Sequence, residues 1–143
     1  MKNKATLSLP KKLILCLYVL VFVSCNPEDD TNPSPVPDVR DKFIAEWNVS
    51  DACSKGNYIV TISKDPSNTA QVLLQNFAGS LASQPDTAIV AASSIVLFQQ
   101  TNSEGWQVKG SGSYLEDGSI DWVFTLVISG YEESCTATYV RGK

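Results

Sequence analysis

The sequence predicts an all-β domain, a small antiparallel up-and-down barrel of about eight strands, with a two-sheet β-sandwich as the alternative. Three observations lead there. Past residue 40, apolar and polar residues alternate in short runs, the period-two signature of a half-buried strand. Clusters of Gly, Pro, Asn, Asp and Ser separate these runs, and no long stretch has helical spacing. Finally, Cys53 and Cys135 lie near the two ends of the region, so a bond between them joins its first and last strands. Closure of that kind leaves no strand edge open and favours the barrel.

The elements follow in order. Phe43, Ala45, Trp47 and Val49 alternate with Ile44, Glu46, Asn48 and Ser50, and residues 39–43 also read as a short helical turn before that strand. Residues 58–62 and 71–75 form a hairpin across Lys64-Asp65-Pro66-Ser67-Asn68, which is turn chemistry. Residues 77–86 make a longer connection. Two short strands, 88–91 and 95–99, flank Ala92-Ser93-Ser94, and a turn at 101–105 leads into a strand at 106–114. Gly110 and Gly112 face the same side of that strand, which implies a bend or a close approach. Glu116-Asp117-Gly118-Ser119 turns the chain into 120–129, where Trp122, Phe124, Leu126 and Ile128 share a face. A turn at 130–133 precedes the last strand, in which Cys135, Ala137 and Tyr139 alternate with Thr136, Thr138 and Val140.

Composition narrows the function. With 18% charged and 43% hydrophobic residues, the chain of 143 is globular rather than disordered. It has no histidine, which removes Ser-His-Asp and Cys-His catalysis and histidine metal sites. A formal charge of −4 argues against a nucleic-acid partner, because phosphate binding needs a basic surface.

The first residues read as an address. Lys2, Lys4, Lys11 and Lys12 precede an apolar run at 13–23, and no acid occurs before Glu28. That run is shorter than the ~18 residues a transmembrane helix needs and has the layout of a secretory signal peptide. Val21-Phe22-Val23-Ser24-Cys25 resembles the lipobox of bacterial lipoproteins, although Phe22 departs from its usual leucine. The resemblance implies a signal peptide over 1–24 and lipidation of Cys25, so the mature chain is tethered to a membrane. Cleavage there leaves 7 basic and 15 acidic residues, a side-chain charge of −8. The lipidated cysteine and a Pro-rich acidic linker occupy 25–39, ahead of a β domain at 40–143. Extended as polyproline II, residues 26–38 reach roughly 40 Å. Glu28-Asp29-Asp30 resembles the acidic export signal of Bacteroidota surface lipoproteins, although such acids equally solvate a linker.

Cys16 leaves with the signal and Cys25 carries lipid, so Cys53 and Cys135 remain to pair in an oxidising compartment. Without a CxxC or a histidine, neither has a metal or catalytic partner in the sequence. R-D-K-F at 40–43, W-N-V-S-D-A-C at 47–53, Y-I-V-T-I-S at 58–63, V-L-L-Q-N-F at 72–77 and S-C-T-A-T-Y at 134–139 resemble small Bacteroidota lipoproteins in which a lipocalin-like β domain follows a lipobox and a linker. The likeness spans 40–143. It implies a lipocalin-like barrel on an outer-membrane lipoprotein, facing the cell surface or the periplasm, and carries over no catalytic or binding residue.

Chemistry is sparse. Glu116-Asp117, Asp121 and Glu132-Glu133 fall in or beside expected turns, where carboxylates are solvated and poor general acids, and no D-x-D-x-D-G calcium loop occurs. The reading is non-enzymatic, with no cofactor and no metal. Trp47, Trp106, Trp122 and Phe124, with Tyr58 and Tyr114, either fill the barrel, line an apolar ligand cavity or present a face to a glycan or protein. Asp86-Thr87-Ala88 fits a short Bacteroidota O-glycosylation pattern at Thr87, in an expected loop beside Pro85. The sequence thus points to a binding module for a small apolar ligand or glycan. The alternative is an inhibitor of lysozyme or protease type, or another protein-interaction module, that presents residues 77–86.

Overall fold

Alternation sends every second side chain to one face of a strand, and eight such strands bury those faces by closing on themselves. The computed structural model describes residues 36–54 and 56–143 and contains these strands: β1 (Ala45–Asp51), β2 (Asn57–Lys64), β3 (Gln71–Gln75), β4 (Asp86–Ala91), β5 (Ser94–Thr101), β6 (Gln107–Tyr114), β7 (Ile120–Ile128) and β8 (Tyr131–Arg141). Each pairs antiparallel with its neighbour in sequence, and β1 also pairs with β8, setting Val49 opposite Tyr139. The result is a closed up-and-down barrel. The two-sheet sandwich does not form, because the β1–β8 ladder leaves no gap at which one sheet divides into two. The expected signal peptide, Cys25 and the linker through residue 35 lie outside the described residues. Residues 37–143 form one compact unit.

The inward rows are apolar: Trp47 and Val49 on β1, Val60 and Ile62 on β2, Trp122, Phe124 and Leu126 on β7. Cys53 and Cys135 are bonded, with Cα atoms 5.5 Å apart, beside the seam where β1 meets β8. Gly110 and Gly112 sit inward on β6 opposite Phe124 and Trp122; the β7 chain at Phe124 takes the space a side chain at 110 would need, and the Trp122 ring with Ile95 takes that at 112.

Two boundaries differ from the sequence expectation, and a third decides between its two readings. Residues 39–43 form the short turn that precedes the strand, so Phe43 does not begin β1. It ends a hydrogen-bonded turn, with its N–H donating to the Arg40 carbonyl at 2.8 Å, and is buried against Tyr114 at a ring separation of 5.6 Å. The last hairpin turns on Ser129-Gly130 alone, both with positive φ (52° and 83°), as a two-residue hairpin matching strand twist requires. Glu132 and Glu133 therefore lie on β8 rather than in a turn. Finally, β4 starts at Asp86, two residues before the expected strand, which carries that carboxylate into the wall.

Arg40 fastens one end of the barrel. Its buried guanidinium pairs with Asp38 at 2.7 Å and donates to the carbonyls of Asn68 (3.0 Å) and Gln71 (3.2 Å) in the β2–β3 turn. The side-chain and backbone bonds from Arg40, with a further one from Lys64, hold the Asp38 carboxyl well below the usual carboxylate range. At the other end, the connection from β3 to β4 folds into the mouth. Phe77, Ala78, Ser80 and Ala82 are buried there, and Gln75 Nε2 holds the Ala82 carbonyl at 2.7 Å.

Candidate functional site

The aromatic residues meet inside the barrel. Phe77 stands edge-on to both Trp122 and Phe124, with ring centroids 5.1 Å apart in each case, and Trp122 lies 5.8 Å from Tyr139. Trp47 closes the opposite end. Its Nε1–H donates to the Phe43 carbonyl at 2.9 Å, and the Arg141 guanidinium stacks 4.9 Å from its ring. All of these rings are buried, so Trp47, Trp122 and Phe124 are core. Trp106 is half-buried and packs against that core just before β6. Its N–H donates to Asn102 Oδ1, in the turn that reverses the chain at Gly105. Of the four candidate aromatics, none offers an exposed stacking platform.

Two polar atoms within this core have no protein partner, Trp122 Nε1 and Tyr139 Oη. Burial pushes the Tyr139 hydroxyl well above its ordinary range, helped by the charges of Asp51 and Asp86. These two buried carboxylates escaped the sequence reading. Asp51 accepts the Cys53 N–H at 2.7 Å and the Tyr58 hydroxyl at 2.9 Å, so both of its oxygens are engaged. Asp86 is 3% exposed, and desolvation raises its carboxyl to about 6. Period two does mark both positions, since Asp51 continues the inward row of Trp47 and Val49, and Asp86 that of Ala88 and Val90.

The acidic residues flagged in the sequence remain apart from this cluster. Asp117 accepts the Ser119 N–H and hydroxyl within its turn, which lowers its carboxyl. Asp121 is exposed on β7 and accepts the Thr138 hydroxyl at 2.9 Å. Asp51, Cys53 and Cys135 come close enough for metal ligation, but the two sulfurs are bonded to each other, leaving one carboxylate and no thiolate.

Thr87 is not in a loop. It is half-buried on β4, paired with Leu73, and its backbone N–H and carbonyl both bond the Gln100 amide, at 3.0 and 2.9 Å. With Asp86 turned inward, the three-residue pattern is part of the barrel wall. The 77–86 connection buries Phe77, Ala78, Ser80, Ala82 and Asp86 and exposes Leu81, Ser83 and Gln84.

One depression lies on the outside. It has a volume of about 420 Å³ and runs along β8 between β1 and β7. Ser50, Thr136 and Thr138 give it hydroxyls, Asp121 a carboxylate and Val123 an apolar contact.

No protein-family model matches the chain, and no curated protein matches it in sequence. Among solved structures the chain is similar to a redesigned beta barrel, at 14% identity and a TM-score of 0.49, covering 77% of this chain and all of that one.

Proposed function

We propose that the chain is a lipid-anchored, non-enzymatic lipoprotein of the outer envelope whose β domain is a binding module acting through its outside surface. The filled interior carries the second half of this reading: Phe77 meets Trp122 and Phe124 at 5.1 Å, and Phe43 and Trp47 close the other end. A small apolar ligand inside the barrel would have to displace those rings, whereas a glycan or protein on the outer wall displaces nothing. The lipobox-like segment ending at Cys25 and the Pro-rich linker after it support the anchor. With several acyl chains on Cys25, attachment is lasting and the barrel stands off from the bilayer.

Two measurements test this. Labelled fatty acid is expected to enter the full chain and to be lost in Cys25→Ser, with the variant released from membranes; equal labelling of both removes the anchor. Native mass spectrometry of the protein released from its own cells is expected to give a bare mass, two hydrogens below the reduced domain. A reproducible added mass that disappears on denaturation and proves to be a small apolar molecule would put a ligand in the barrel and overturn the surface reading.

A further inference from the structure

The β7–β8 hairpin rises above the mouth beside β1. The ladder between β1 and β8 ends at Asp51–Ala137, whereas β7 and β8 stay paired as far as Ile128–Tyr131. The inward rows of the two strands are buried up to Leu126 and Cys135. Beyond those residues the same rows continue, through Ile128 on β7 and through Glu133 and Tyr131 on β8. Ile128 is half-buried, and Tyr131, directly opposite it, is 83% exposed. Leu126, Ile128 and Tyr131 line a cleft of about 210 Å³ that Glu132 and Glu133 complete.

Each wall of the cleft selects for part of an occupant. Leu126 and Ile128 favour an apolar stem, and the Tyr131 ring offers its negative face to a cation. The two carboxylates repel a phosphate or an acidic headgroup, and neither forms an ion pair with any described residue. A wholly apolar group would strip water from them and give nothing back. A long basic side chain satisfies all three walls, with its methylenes on Leu126 and Ile128 and its charge beside the ring and the carboxylates. The wider field agrees, since residues 36–143 carry 7 basic and 12 acidic side chains and so draw a basic partner inward. Position agrees too. The chain enters the domain at the end where Arg40 holds the β2–β3 turn, and the hairpin tip is at the opposite end, clear of that entry.

From this cleft we infer that the tip of the β7–β8 hairpin is a docking site for a basic segment of a protein partner, which inserts one lysine or arginine side chain between Tyr131 and Glu133. The inference deepens the surface-acting reading above, on which it rests, and names the chemistry of the partner. A single side chain in an exposed cleft binds in the millimolar range, so it anchors a wider contact rather than supplying all of it.

Methyl NMR of the full chain in zwitterionic detergent micelles tests this, with three end-blocked tripeptides as probes: Ala-Arg-Ala, Ala-Glu-Ala and Ala-Leu-Ala. The arginine peptide is expected to shift the Ile128 and Leu126 methyl signals saturably, and less so at high salt, while the other two leave them in place. Tyr131→Ala and Glu133→Gln are each expected to weaken that binding about 2- to 5-fold. Asp121→Asn, on the β8 groove, is expected to leave it unchanged, and unmoved Ile95 and Leu97 methyl signals show that each variant still folds. No shift at Ile128 with the arginine peptide, an equal shift with either other peptide, or indifference to both Tyr131→Ala and Glu133→Gln overturns the inference and leaves the surface-acting reading standing. Peptide-induced shifts centred on Ile95 and Leu97, inside the barrel, overturn both.

Discussion

Gly110 and Gly112 give the sharpest test of how the interior is built. A Cβ added at Gly110 would lie 2.5 Å from Phe124 Cβ, 2.7 Å from the Val123 carbonyl oxygen and 2.8 Å from Phe124 Cα. Most of these neighbours belong to the β7 backbone, so relief requires β6 and β7 to part by about 1 Å across a ladder that runs from Gln107 to Tyr114. At Gly112 the nearest atoms are Ile95 Cγ2 and Trp122 Cε2, both at 2.7 Å, which are side-chain atoms able to move. Overpacking a core costs about 1–3 kcal/mol. Gly112→Ala is expected in that range, and Gly110→Ala at or above its upper end. The assay is urea unfolding with the disulfide intact, read by tryptophan fluorescence; each kcal/mol corresponds to a Tm shift of about 4–8 °C for a domain of this size. Adding Ile95→Ala to Gly112→Ala removes one colliding atom, so the double variant is expected to lose less than the two single losses combined. Both glycine variants within about 0.5 kcal/mol of the parent, or Gly112→Ala worse than Gly110→Ala, would refute the packing argument.

Other consequences follow from the same packing. Replacing Cys53 and Cys135 together by Ala frees a loop of sequence separation 82 in the unfolded chain, and the loss in denaturant is expected to approach the chain-entropy ceiling of about 4.5 kcal/mol. An unchanged midpoint would show that the β1–β8 ladder alone closes the barrel. Phe77→Ala removes the ring shared by Trp122 and Phe124, and a loss of about 3–5 kcal/mol with altered Trp122 emission is expected; a surface-like effect would mean that the plug is dispensable. Asp86 is held at about 6, above the ordinary carboxylate value of 3.8, so the unfolded chain releases its proton first as pH rises. Its stabilising share is therefore full below pH 4, falls between about 4 and 6, and is gone above that, by roughly 2 kcal/mol once solvent screening is allowed for. Asp86→Asn is expected to flatten that stretch of the stability–pH curve and to be more stable than the parent at pH 7. An unaltered curve removes the buried carboxylate as its source.

The strands were legible because a half-buried strand imprints its period on the sequence, and turns such as Asp65–Asn68 and Glu116–Ser119 carry residues that bond their own backbone. The glycine pair on β6 and the cysteine pair were legible for the same local reason. What escaped depends on partners distant in the chain. Phe43 fitted both the alternation of β1 and a turn before it, and the decision for the turn comes from Arg40, bonded to carbonyls 28 and 31 residues away. Asp86 belongs to the inward row of β4, yet a carboxylate beside Pro85 reads as loop until Leu74 pairs with it across the sheet. The 77–86 connection looked long enough to project, and the inward turn of Phe77 depends on the rings of Trp122 and Phe124, far along the chain.

Closure also decides which residues can recognise anything. An open sheet offers a partner its edge, and a peptide can add to it as another strand using backbone bonds alone. This barrel has no free edge, since β1 and β8 satisfy each other from Trp47–Arg141 to Asp51–Ala137. Its inward row is spent on packing, and the connection that closes one mouth is itself buried through Phe77, Ala78 and Ala82. Specificity therefore falls to outward side chains, every second residue along each strand, and to those at the hairpin tip above the mouth. The aromatic residues that stood out in the sequence occupy the opposite row. Around β8 that outward row supplies the hydroxyls of Ser50, Thr136 and Thr138 and the carboxylate of Asp121, polar groups that the period-two pattern alone places on the outside.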